Sequence, residues 1–356
     1  TGYVLVLSGT HRRINMKAAV LEKFSEPMVL REVPVPKVGR NEVLLKVKAC
    51  GMCGTDVKIW GGHKKVKELP LIMGHEPAGE IVGLGDEVKG LKAGDRGIAH
   101  FYLSCGRCLY CKTNRETLCS NIKGRLGFEL NGGFAEYISI PAQNFIPIPE
   151  ELSFEAACII PDAISTTYHG FSKVPVSSGD NVLVMGLGGL GIHGLQIAKA
   201  MGAKVIGVDI NEEKLNFARE LGFENLVLFD RDKEKYKSNI SKLTNGEDIS
   251  VVLETVSTSE TLNSDLEVLG KSGKLILNGY RPDPVDIPVY TLVLKELSMF
   301  GSRASCKNDV REVIKLIADG CIKPVVSKKY RLEEINCALE DLKKSKNIGR
   351  QVITFE

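Results

Sequence analysis

Four cysteines lie close together in the chain with the spacing Cys-x2-Cys-x2-Cys-x7-Cys. They are Cys105, Cys108, Cys111 and Cys119. Four thiolates at such spacings in a loop can surround one zinc ion as a tetrahedron. Because four thiolates fill the coordination shell, we expect a zinc ion there to stiffen the loop and to take no part in chemistry. Free or redox-active thiols are the alternative interpretation.

A second set of possible metal ligands is dispersed along the sequence. Cys53, in the motif Cys-Gly-Thr-Asp, ends an apolar stretch, and His75, in the motif Gly-His-Glu, begins another such region further on. Thiolate and imidazole are both good zinc ligands. Each residue alone is weak evidence, because a single buried cysteine is most often a small apolar residue and a single histidine is most often a hydrogen-bonded polar group.

A glycine-rich turn offers a different kind of chemistry. Val182–Met185 is predicted to be a buried strand, followed by the turn Gly-Leu-Gly-Gly-Leu-Gly, an amphipathic helix, and a second strand at Lys204–Val208. At the N-terminus of a helix, unpaired N–H groups and the helix dipole favour a phosphate group. The turn residues predicted to approach a dinucleotide are Gly186, Gly188, Gly189, Leu190 and Gly191.

Asp209 ends the second predicted strand, close to the roughly 20 residues from the turn at which an acidic residue is expected. A carboxylate there can accept hydrogen bonds from both hydroxyls of the adenosine ribose, and it would repel the 2′-phosphate of NADP. The pattern therefore predicts NAD as the cofactor. A packing turn in some other α/β unit is the alternative.

Composition limits the classes of protein that are possible. The chain has 356 residues, of which 43% are hydrophobic and 26% charged, as expected for a globular protein with room for two domains. With 47 basic and 44 acidic residues, charge gives no reason to expect a nucleic-acid or membrane-surface partner. No apolar run approaches a membrane span, so we expect a cytoplasmic protein that acts on a small molecule.

The pattern of predicted strands and helices changes along the chain. From Met16 to about Pro149, short strands broken by glycine and proline predict a closed or sandwich-like β domain. From about Ser165 to Gly301, alternating strands and helices predict a doubly wound parallel sheet. The predicted division is an N-terminal extension at 1–15, a zinc-binding catalytic domain at 16–164 and 304–356, and a cofactor domain at 165–303.

With these motifs placed, the chain resembles the zinc-containing medium-chain dehydrogenase/reductase family, which includes alcohol dehydrogenases and their polyol and threonine relatives. The resemblance covers residues 16–356 and includes the ending Gly-Arg-Gln-Val at 349–352. It implies an α/β protein with a GroES-like β-barrel domain and a Rossmann domain. It also implies two zinc ions per subunit, one catalytic and one structural, with NAD. A homodimer or homotetramer is expected, with the sheet edge near Leu292–Phe300 pairing with its partner.

The resemblance also implies a third ligand for the catalytic zinc. It places Asp162 on the metal with Cys53 and His75, and it leaves Cys158, four residues earlier in the chain, as a thiol of the core. Glu76 matches a residue that approaches or binds zinc when substrate is absent. A hydrogen-bonding role beside the ligands is the alternative for Glu76.

Further roles follow from the same resemblance. Thr55 would take the alcohol proton and relay it through the cofactor ribose, and Asp56 would orient His75. Lys58 stands where many relatives carry a proton-relaying histidine, and it either substitutes for that histidine or faces solvent. The other residues predicted to bind cofactor are Lys214, Asn278, Gly279, Tyr280 and Arg350.

Together these features predict a zinc-dependent alcohol dehydrogenase that transfers hydride reversibly between an alcohol, favoured to be secondary, and NAD, giving a ketone or aldehyde. A polyol or L-threonine dehydrogenase is the alternative, and a non-catalytic cofactor-binding member is a more distant one. The roles of two residues have two interpretations each. Cys50 forms an extra Cys-x-x-Cys with Cys53 and is either redox-active or an incidental buried thiol, and Trp60 lines the site or belongs to the core.

Overall fold

The computed structural model describes residues 4–5, 15–281, 283–344 and 348–356. The strands in this part of the chain are β1 (Val4–Leu5), β2 (Asn15–Leu21), β3 (Val29–Pro34), β4 (Glu42–Met52), β5 (Leu71–Ile72), β6 (Glu76–Leu84), β7 (Arg96–Ala99), β8 (Tyr137–Pro141), β9 (Phe145–Pro147), β10 (Asn181–Met185), β11 (Lys204–Asp209), β12 (Leu226–Leu228), β13 (Ile249–Glu254), β14 (Leu269–Leu277), β15 (Ser298–Gly301), β16 (Val326–Arg331) and β17 (Arg350–Thr354).

The helices are α1 (Gly54–Trp60), α2 (Leu109–Lys112), α3 (Phe154–Cys158), α4 (Ser165–Phe171), α5 (Gly191–Ala200), α6 (Glu212–Glu220), α7 (Lys233–Leu243), α8 (Ser259–Val268), α9 (Val289–Lys295), α10 (Lys307–Ala318) and α11 (Ile335–Lys343). Short 3-10 helices lie at Glu116–Leu118, Ala142–Asn144 and Leu332–Glu334, and a π-helical turn covers Ile160–Ile164. Among the described residues, no helix is both long and apolar enough to cross a membrane.

The chain forms two compact units. The first comprises Thr1–Asp162, Cys306–Ile314 and Val326–Glu356, and the second comprises Ala163–Ser305 and Lys315–Val325. The predicted division differs here, because it assigned all of 304–356 to the first domain. Residues 315–325 belong to the second unit because the backbone of Lys323 and Val325 is hydrogen-bonded to polar side chains of α5.

The first unit is a β domain, as predicted, and its strands pair antiparallel except β16 and β17, which are parallel. Its larger sheet has the order β16-β17-β4-β6-β7-β9, with β1 also paired to β6 and β8 to β4, and β3, β2 and β5 form a smaller sheet. The register of β4 and β6 sets Gly51 opposite Glu76. Strand β17 pairs with the same end of β4, where Gln351 faces Met52. Three distant stretches of sequence therefore meet at one end of β4.

The second unit is a parallel sheet with the strand order β12-β11-β10-β13-β14-β15, which confirms the predicted doubly wound fold. Strands β11 and β12 lie on one side of β10, and β13 to β15 lie on the other. The order reverses beside β10, and ligands bind outside the carboxyl ends of the strands at such a point. All five residues of β10 are buried, as expected of a central parallel strand.

Two further predictions concern the edges of the sheets. The segment predicted as a sheet edge, Leu292–Phe300, is only partly a strand, because Leu292 lies in α9 and the edge strand β15 begins at Ser298. Most of the predicted N-terminal extension lies outside the described residues. Within it, Val4 and Leu5 pair antiparallel with Leu84 and Gly83 of β6.

Candidate metal centres and cofactor turn

Cys53 is fixed by the junction between β4 and α1. It is the N-cap of α1, with an extended backbone at φ −129° and ψ 169°. Its Sγ accepts a hydrogen bond from the Thr55 N–H at 3.2 Å, and the Asp56 carboxylate accepts one from the Cys53 N–H at 2.8 Å. This reciprocal cap fixes the direction of the thiol.

The pairing of β4 with β6 brings His75 to Cys53. Their Nε2 and Sγ atoms are 3.2 Å apart, and a carboxylate oxygen of Glu76 and one of Asp162 each lie 3.9 Å from the same Nε2. One donor atom from each of the four residues lies within 4.8 Å of all the others. Tetrahedral zinc with bonds of about 2.0–2.3 Å holds its ligand atoms about 3.3–3.8 Å apart, so this donor set fits zinc after a small contraction.

The imidazole of His75 is oriented from several sides. Its Nδ1 lies 3.4 Å from Oδ1 of Asp56, and both side chains are buried. A carboxylate on the far nitrogen of a ligating histidine fixes the tautomer and aims the near nitrogen at the metal. Phe101 and Phe128 pack on the ring, with centroid distances of 5.1 and 5.2 Å. Sequence reasoning missed these two aromatic residues, since neither belongs to a recognisable motif.

Arg350 lies among the acidic side chains of this cluster. Its guanidinium contacts the Asp162 carboxylate and lies 3.1 Å from Glu76. Arg350 is predicted from the sequence to bind cofactor, and no sequence motif indicates these ion pairs. Glu76 can lie across the end of β4 only because residue 51 is glycine, since a Cβ atom there would be 2.1 Å from Oε2 of Glu76.

Burial and charge shift the titration of these groups. Burial raises the pKa of Glu76 to about 8, even though the charge of Arg350 acts to lower it. Burial also acts to raise the pKa of Asp162, but the hydrogen bond to His75 and the charge of Arg350 hold that pKa well below its usual range. The first unit therefore gathers carboxylates, a thiol and an imidazole in a buried space, which is an environment that attracts a metal cation.

Asp162 comes from the π-helical turn at Ile160–Ile164, a local feature that is frequent at functional sites. Cys158, the rival ligand, ends α3 and lies outside the donor cluster. Its buried Sγ donates to the carbonyl of Glu155 at 3.3 Å. The structure thus brings Asp162, and not Cys158, to Cys53.

The remaining predicted residues of this region have clear positions. Thr55 is half-buried at the start of α1, and Lys58 is exposed further along the same helix. The Trp60 indole N–H donates to the carbonyl of Glu26 at 2.6 Å. Cys50 is a fully buried free thiol whose pKa is raised by burial. These placements define the surroundings of the donor cluster and leave the roles of Lys58, Trp60 and Cys50 as predictions.

The four-cysteine loop forms a separate cluster in the first unit. The Sγ of Cys111 lies 3.9 Å from that of Cys105 and 3.5 Å from that of Cys108, and the Sγ atoms of Cys108 and Cys119 are 3.9 Å apart. Zinc–sulfur bonds of about 2.3 Å require sulfur atoms about 3.8 Å apart in a tetrahedron. Hydrogen bonds from the backbone of Cys111 and Ser120 lower the pKa of Cys108 to about 6. The spacing and chemistry fit one zinc ion held by four thiolates.

The glycine turn joins β10 to α5 in the second unit. Gly186 has φ +86°, and a Cβ atom at Gly191 would lie 1.7 Å from the carbonyl oxygen of Gly186, so both positions require glycine. A Cβ atom at Gly188 would meet nothing within 4 Å. Gly186 and Gly191 therefore shape the turn and allow the helix to pack closely against it, while Gly188 leaves the backbone open to a close ligand.

Asp209 lies directly beside this turn. Its Oδ2 accepts the Leu187 N–H at 2.6 Å, and its Oδ1 accepts the Asn211 N–H at 2.9 Å. The ammonium group of Lys214 lies 3.8 Å from Oδ2. Asp209 thus holds the turn as well as standing where a ribose is expected. Each carboxylate oxygen can accept a second hydrogen bond, so ribose binding remains compatible with these contacts.

Three predicted cofactor residues follow β14. The side-chain amide of Asn278 is buried and donates to the carbonyls of Thr166 at 3.2 Å and Ser302 at 3.4 Å. The carbonyl of Gly279 accepts the Ser257 hydroxyl, and Tyr280 is about half exposed, at 52%. Asn278 therefore builds the fold through its amide nitrogen, and Tyr280 is the member of the three with an accessible side chain.

Comparisons with known proteins agree with this arrangement. Residues 39–150 match the model of the alcohol dehydrogenase GroES-like domain, and residues 189–319 match that of the zinc-binding dehydrogenases. An alcohol dehydrogenase of Geobacillus stearothermophilus is 37% identical over 96% of this chain and 100% of its own. An acryloyl-coenzyme A reductase of Metallosphaera sedula is 34% identical over 95% of this chain and all of its own. The structure of acetophenone reductase from Geotrichum candidum in complex with NAD is 29% identical, covers 97% of this chain and 99% of that one, and superposes with a TM-score of 0.87.

The chain belongs to the zinc-containing alcohol dehydrogenase family of medium-chain dehydrogenases. This membership confirms the predicted class, an oxidoreductase that acts on alcohols with zinc and NAD, and the predicted GroES-like and Rossmann folds.

Proposed function

We propose that this chain is an NAD-dependent zinc dehydrogenase that interconverts secondary alcohols and ketones at Cys53, His75 and Asp162. The observation that carries the proposal is the buried cluster of one thiol, one imidazole and carboxylates, which matches the mixed ligand set of a zinc site with an open position. Zinc held there would supply a Lewis acid for the substrate oxygen, and NAD would supply the hydride acceptor.

The surrounding residues have roles that the geometry supports. Asp56 orients His75 through Nδ1, and Arg350 holds the carboxylates of Glu76 and Asp162. Glu76 would serve as an alternative zinc ligand or as a hydrogen-bonding neighbour of the ligands. Thr55, next to Cys53, offers a hydroxyl for removing the alcohol proton.

Aromatic packing supports an apolar substrate over a polyol. Phe101 and Phe128 are buried and enclose His75, with their own ring centroids 6.4 Å apart. Such rings pack against the imidazole and offer no hydrogen bonds to a chain of hydroxyl groups. Neutral secondary alcohols suit these surroundings better than sorbitol-like substrates or threonine.

A substrate panel tests the proposal. Zinc-loaded protein would be assayed for NAD reduction with 2-butanol, cyclohexanol, ethanol, sorbitol and L-threonine, and for NADH and NADPH oxidation with acetophenone and acryloyl-coenzyme A. We expect the highest kcat/KM with the secondary alcohols and the ketone. Highest efficiency with sorbitol or threonine would replace the substrate class, and turnover of acryloyl-coenzyme A alone would replace the reaction, a comparison that the acryloyl-coenzyme A reductase relative makes necessary.

We also propose that Asp209 selects NAD over NADP. Asp209→Ser removes both an acceptor for the ribose and a charge that repels the 2′-phosphate. We therefore expect lower kcat/KM with NAD and higher kcat/KM with NADP. Each change should correspond to about 1–3 kcal/mol of transition-state free energy. Asp209→Asn is the matched control, because it removes the charge and keeps the shape. An unchanged ratio of the two efficiencies in both variants would remove Asp209 from cofactor selection.

The assembly is proposed to be a homodimer or homotetramer in the cytoplasm. Strand β15 is an outer strand of the parallel sheet, and α9, which precedes it, exposes Val289, Tyr290, Val293 and Leu294. Exposed apolar side chains beside an edge strand favour association with a second copy. Light scattering should give a multiple of the 38.9 kDa chain mass, and Val293→Asp should lower that mass. A monomeric wild type would contradict the proposal.

A further inference from the structure

His193 links the glycine turn to a distant segment of the second unit. It lies in the first turn of α5 and is fully buried. Its Nδ1 is 2.8 Å from the carbonyl oxygen of Gly189, and its Nε2 is 3.0 Å from the N–H nitrogen of Val325. The same ring therefore contacts the turn and the segment that leads to β16.

These two contacts determine the tautomer of His193. A neutral imidazole has one donor and one acceptor. The backbone N–H of Val325 can only donate, so Nε2 must accept. Nδ1 then carries the proton and donates it to the Gly189 carbonyl. One neutral form satisfies both partners, and protonation of Nε2 would place a donor against a donor.

The contact with Gly189 matters because of how α5 begins. The backbone N–H of His193 donates to the carbonyl of Leu190, at 3.1 Å. The imidazole supplies a side-chain donor to the carbonyl of Gly189, just before the helix. In a trans peptide the C=O and N–H groups point in opposite directions, so a fixed Gly189 carbonyl also fixes the N–H of Leu190 on the other side of the same peptide plane.

Gln196, one turn further along α5, provides an internal comparison. Its side chain accepts the N–H of Lys323 at 2.7 Å and donates to the carbonyl of the same residue at 3.1 Å. Gln196 and His193 therefore both hold the backbone of 323–325 through buried polar groups. Only His193 among this pair also contacts the glycine turn.

We propose that His193 is a positioning residue for the cofactor pyrophosphate, acting through the Gly189–Leu190 peptide. The neutral imidazole holds this peptide so that the Leu190 N–H faces the phosphate oxygens and is already aligned when the dinucleotide binds. This inference rests on the proposed binding of NAD at the glycine turn.

Two substitutions separate the two contacts of the ring. His193→Asn places an amide N–H near the position of Nδ1, keeping the donor to Gly189 and losing the acceptor for Val325. His193→Gln reaches the position of Nε2, keeping an acceptor for Val325 and losing the donor to Gly189. Gln196→Met is the matched control, because it releases the same 323–325 segment without touching the turn.

NADH binding would be measured by fluorescence titration, together with the thermal midpoint of each variant and the KM for NAD. We expect His193→Gln to raise the Kd for NADH roughly tenfold, as the loss of one aligning hydrogen bond predicts. His193→Asn and Gln196→Met should bind NADH within about twofold of wild type, while all three variants melt at lower temperature. In His193→Gln the KM for NAD should rise more than kcat falls.

The outcomes distinguish this inference from the proposed function. If the wild type does not bind NADH, the cofactor assignment itself fails, and the inference fails with it. If the wild type binds NADH but His193→Gln binds it as tightly, the inference alone is overturned. Equal weakening in His193→Gln and Gln196→Met would show that loosening of 323–325, and not the turn contact, controls binding, and it would also overturn the inference.

Discussion

The two candidate metal centres of the first unit are built in different ways. The four-cysteine cluster comes from one short loop, and three of its members, Cys105, Cys108 and Cys111, are only partly buried. The mixed cluster comes from three distant stretches of chain, and Cys53, His75 and Glu76 within it are buried. One centre is local and chemically uniform, and the other is dispersed and chemically mixed.

This difference in construction indicates what each centre can do. Four thiolates complete a coordination shell and cross-link their loop, so their metal stabilises structure. The mixed cluster depends on strand pairing and on charged neighbours such as Arg350 and Asp56, which tune the ligands and hold their geometry. The fold thus supports the mixed centre, whereas the thiolate centre supports the fold. Substitutions should affect activity and stability in opposite proportions at the two centres.

The largest expected effect is on activity at the mixed centre. Cys53→Ser replaces the thiolate ligand, and kcat/KM should fall more than about a thousandfold, or about 4 kcal/mol of transition-state stabilisation. The thermal midpoint should change little. Cys50→Ala, three residues earlier in β4, is the control and should retain activity. Equal loss of activity in both variants would mean that any disturbance near the end of β4 abolishes activity. That result would contradict the proposed difference between the two centres.

The next effect is on stability at the thiolate centre. Cys111→Ser should lower the free energy of unfolding by roughly 2–4 kcal/mol, because one ligand of a cross-linking metal is lost. Turnover of the protein that remains folded should be nearly unchanged. Elemental analysis should find two zinc ions per chain in the wild type and one in this variant. Cys321→Ser, at an exposed thiol, serves as the control for cysteine removal in general.

A smaller effect is expected at Arg350, the buried cationic side chain beside the mixed centre. Arg350→Lys keeps the charge but loses the planar fork that reaches both Glu76 and Asp162. Zinc affinity or kcat/KM should fall about 10- to 100-fold, measured by competition with a chromogenic chelator and by steady-state kinetics. Arg331→Lys, at an exposed arginine of the same unit, should have no such effect. Unchanged zinc affinity and kinetics in Arg350→Lys would remove Arg350 from the metal site.

The smallest effect for a single pH unit is expected at Asp265, a buried acid outside both metal centres. Asp265 on α8 is fully buried, and neither carboxylate oxygen has a hydrogen-bond donor within the described structure. Burial and the adjacent Glu254 raise the pKa of Asp265 well above 3.8. The unfolded chain releases this proton at lower pH than the folded chain does, so the wild type loses stability as pH rises above the unfolded value. The loss is at most about 1.4 kcal/mol per pH unit until the folded carboxyl ionises.

Asp265→Asn removes this titration and should therefore become more stable than the wild type as pH increases. The measurement is chemical unfolding between pH 5 and pH 8 at constant ionic strength. Glu260→Gln, an exposed acid on the same helix, is the control and should show the pH dependence of the wild type. Parallel curves for wild type and Asp265→Asn would mean that the carboxyl is already ionised in the folded protein.

The sequence by itself determined the features that are local. The four-cysteine spacing and the glycine turn with Asp209 each occupy a short stretch, so residue type and spacing were enough to predict them. The doubly wound sheet followed for a similar reason, because each strand and helix of the second unit shows its own periodicity. The zinc and NAD assignments also relied on family resemblance.

The tertiary structure decided everything that depends on distant partners. The register of β4 with β6 places His75 beside Cys53, and the return of β17 places Arg350 between the carboxylates of Glu76 and Asp162. Side-chain hydrogen bonds from α5 assign residues 315–325 to the second unit. No local pattern encodes these contacts, because strand register and side-chain pairing across the sequence are set by packing of the whole unit.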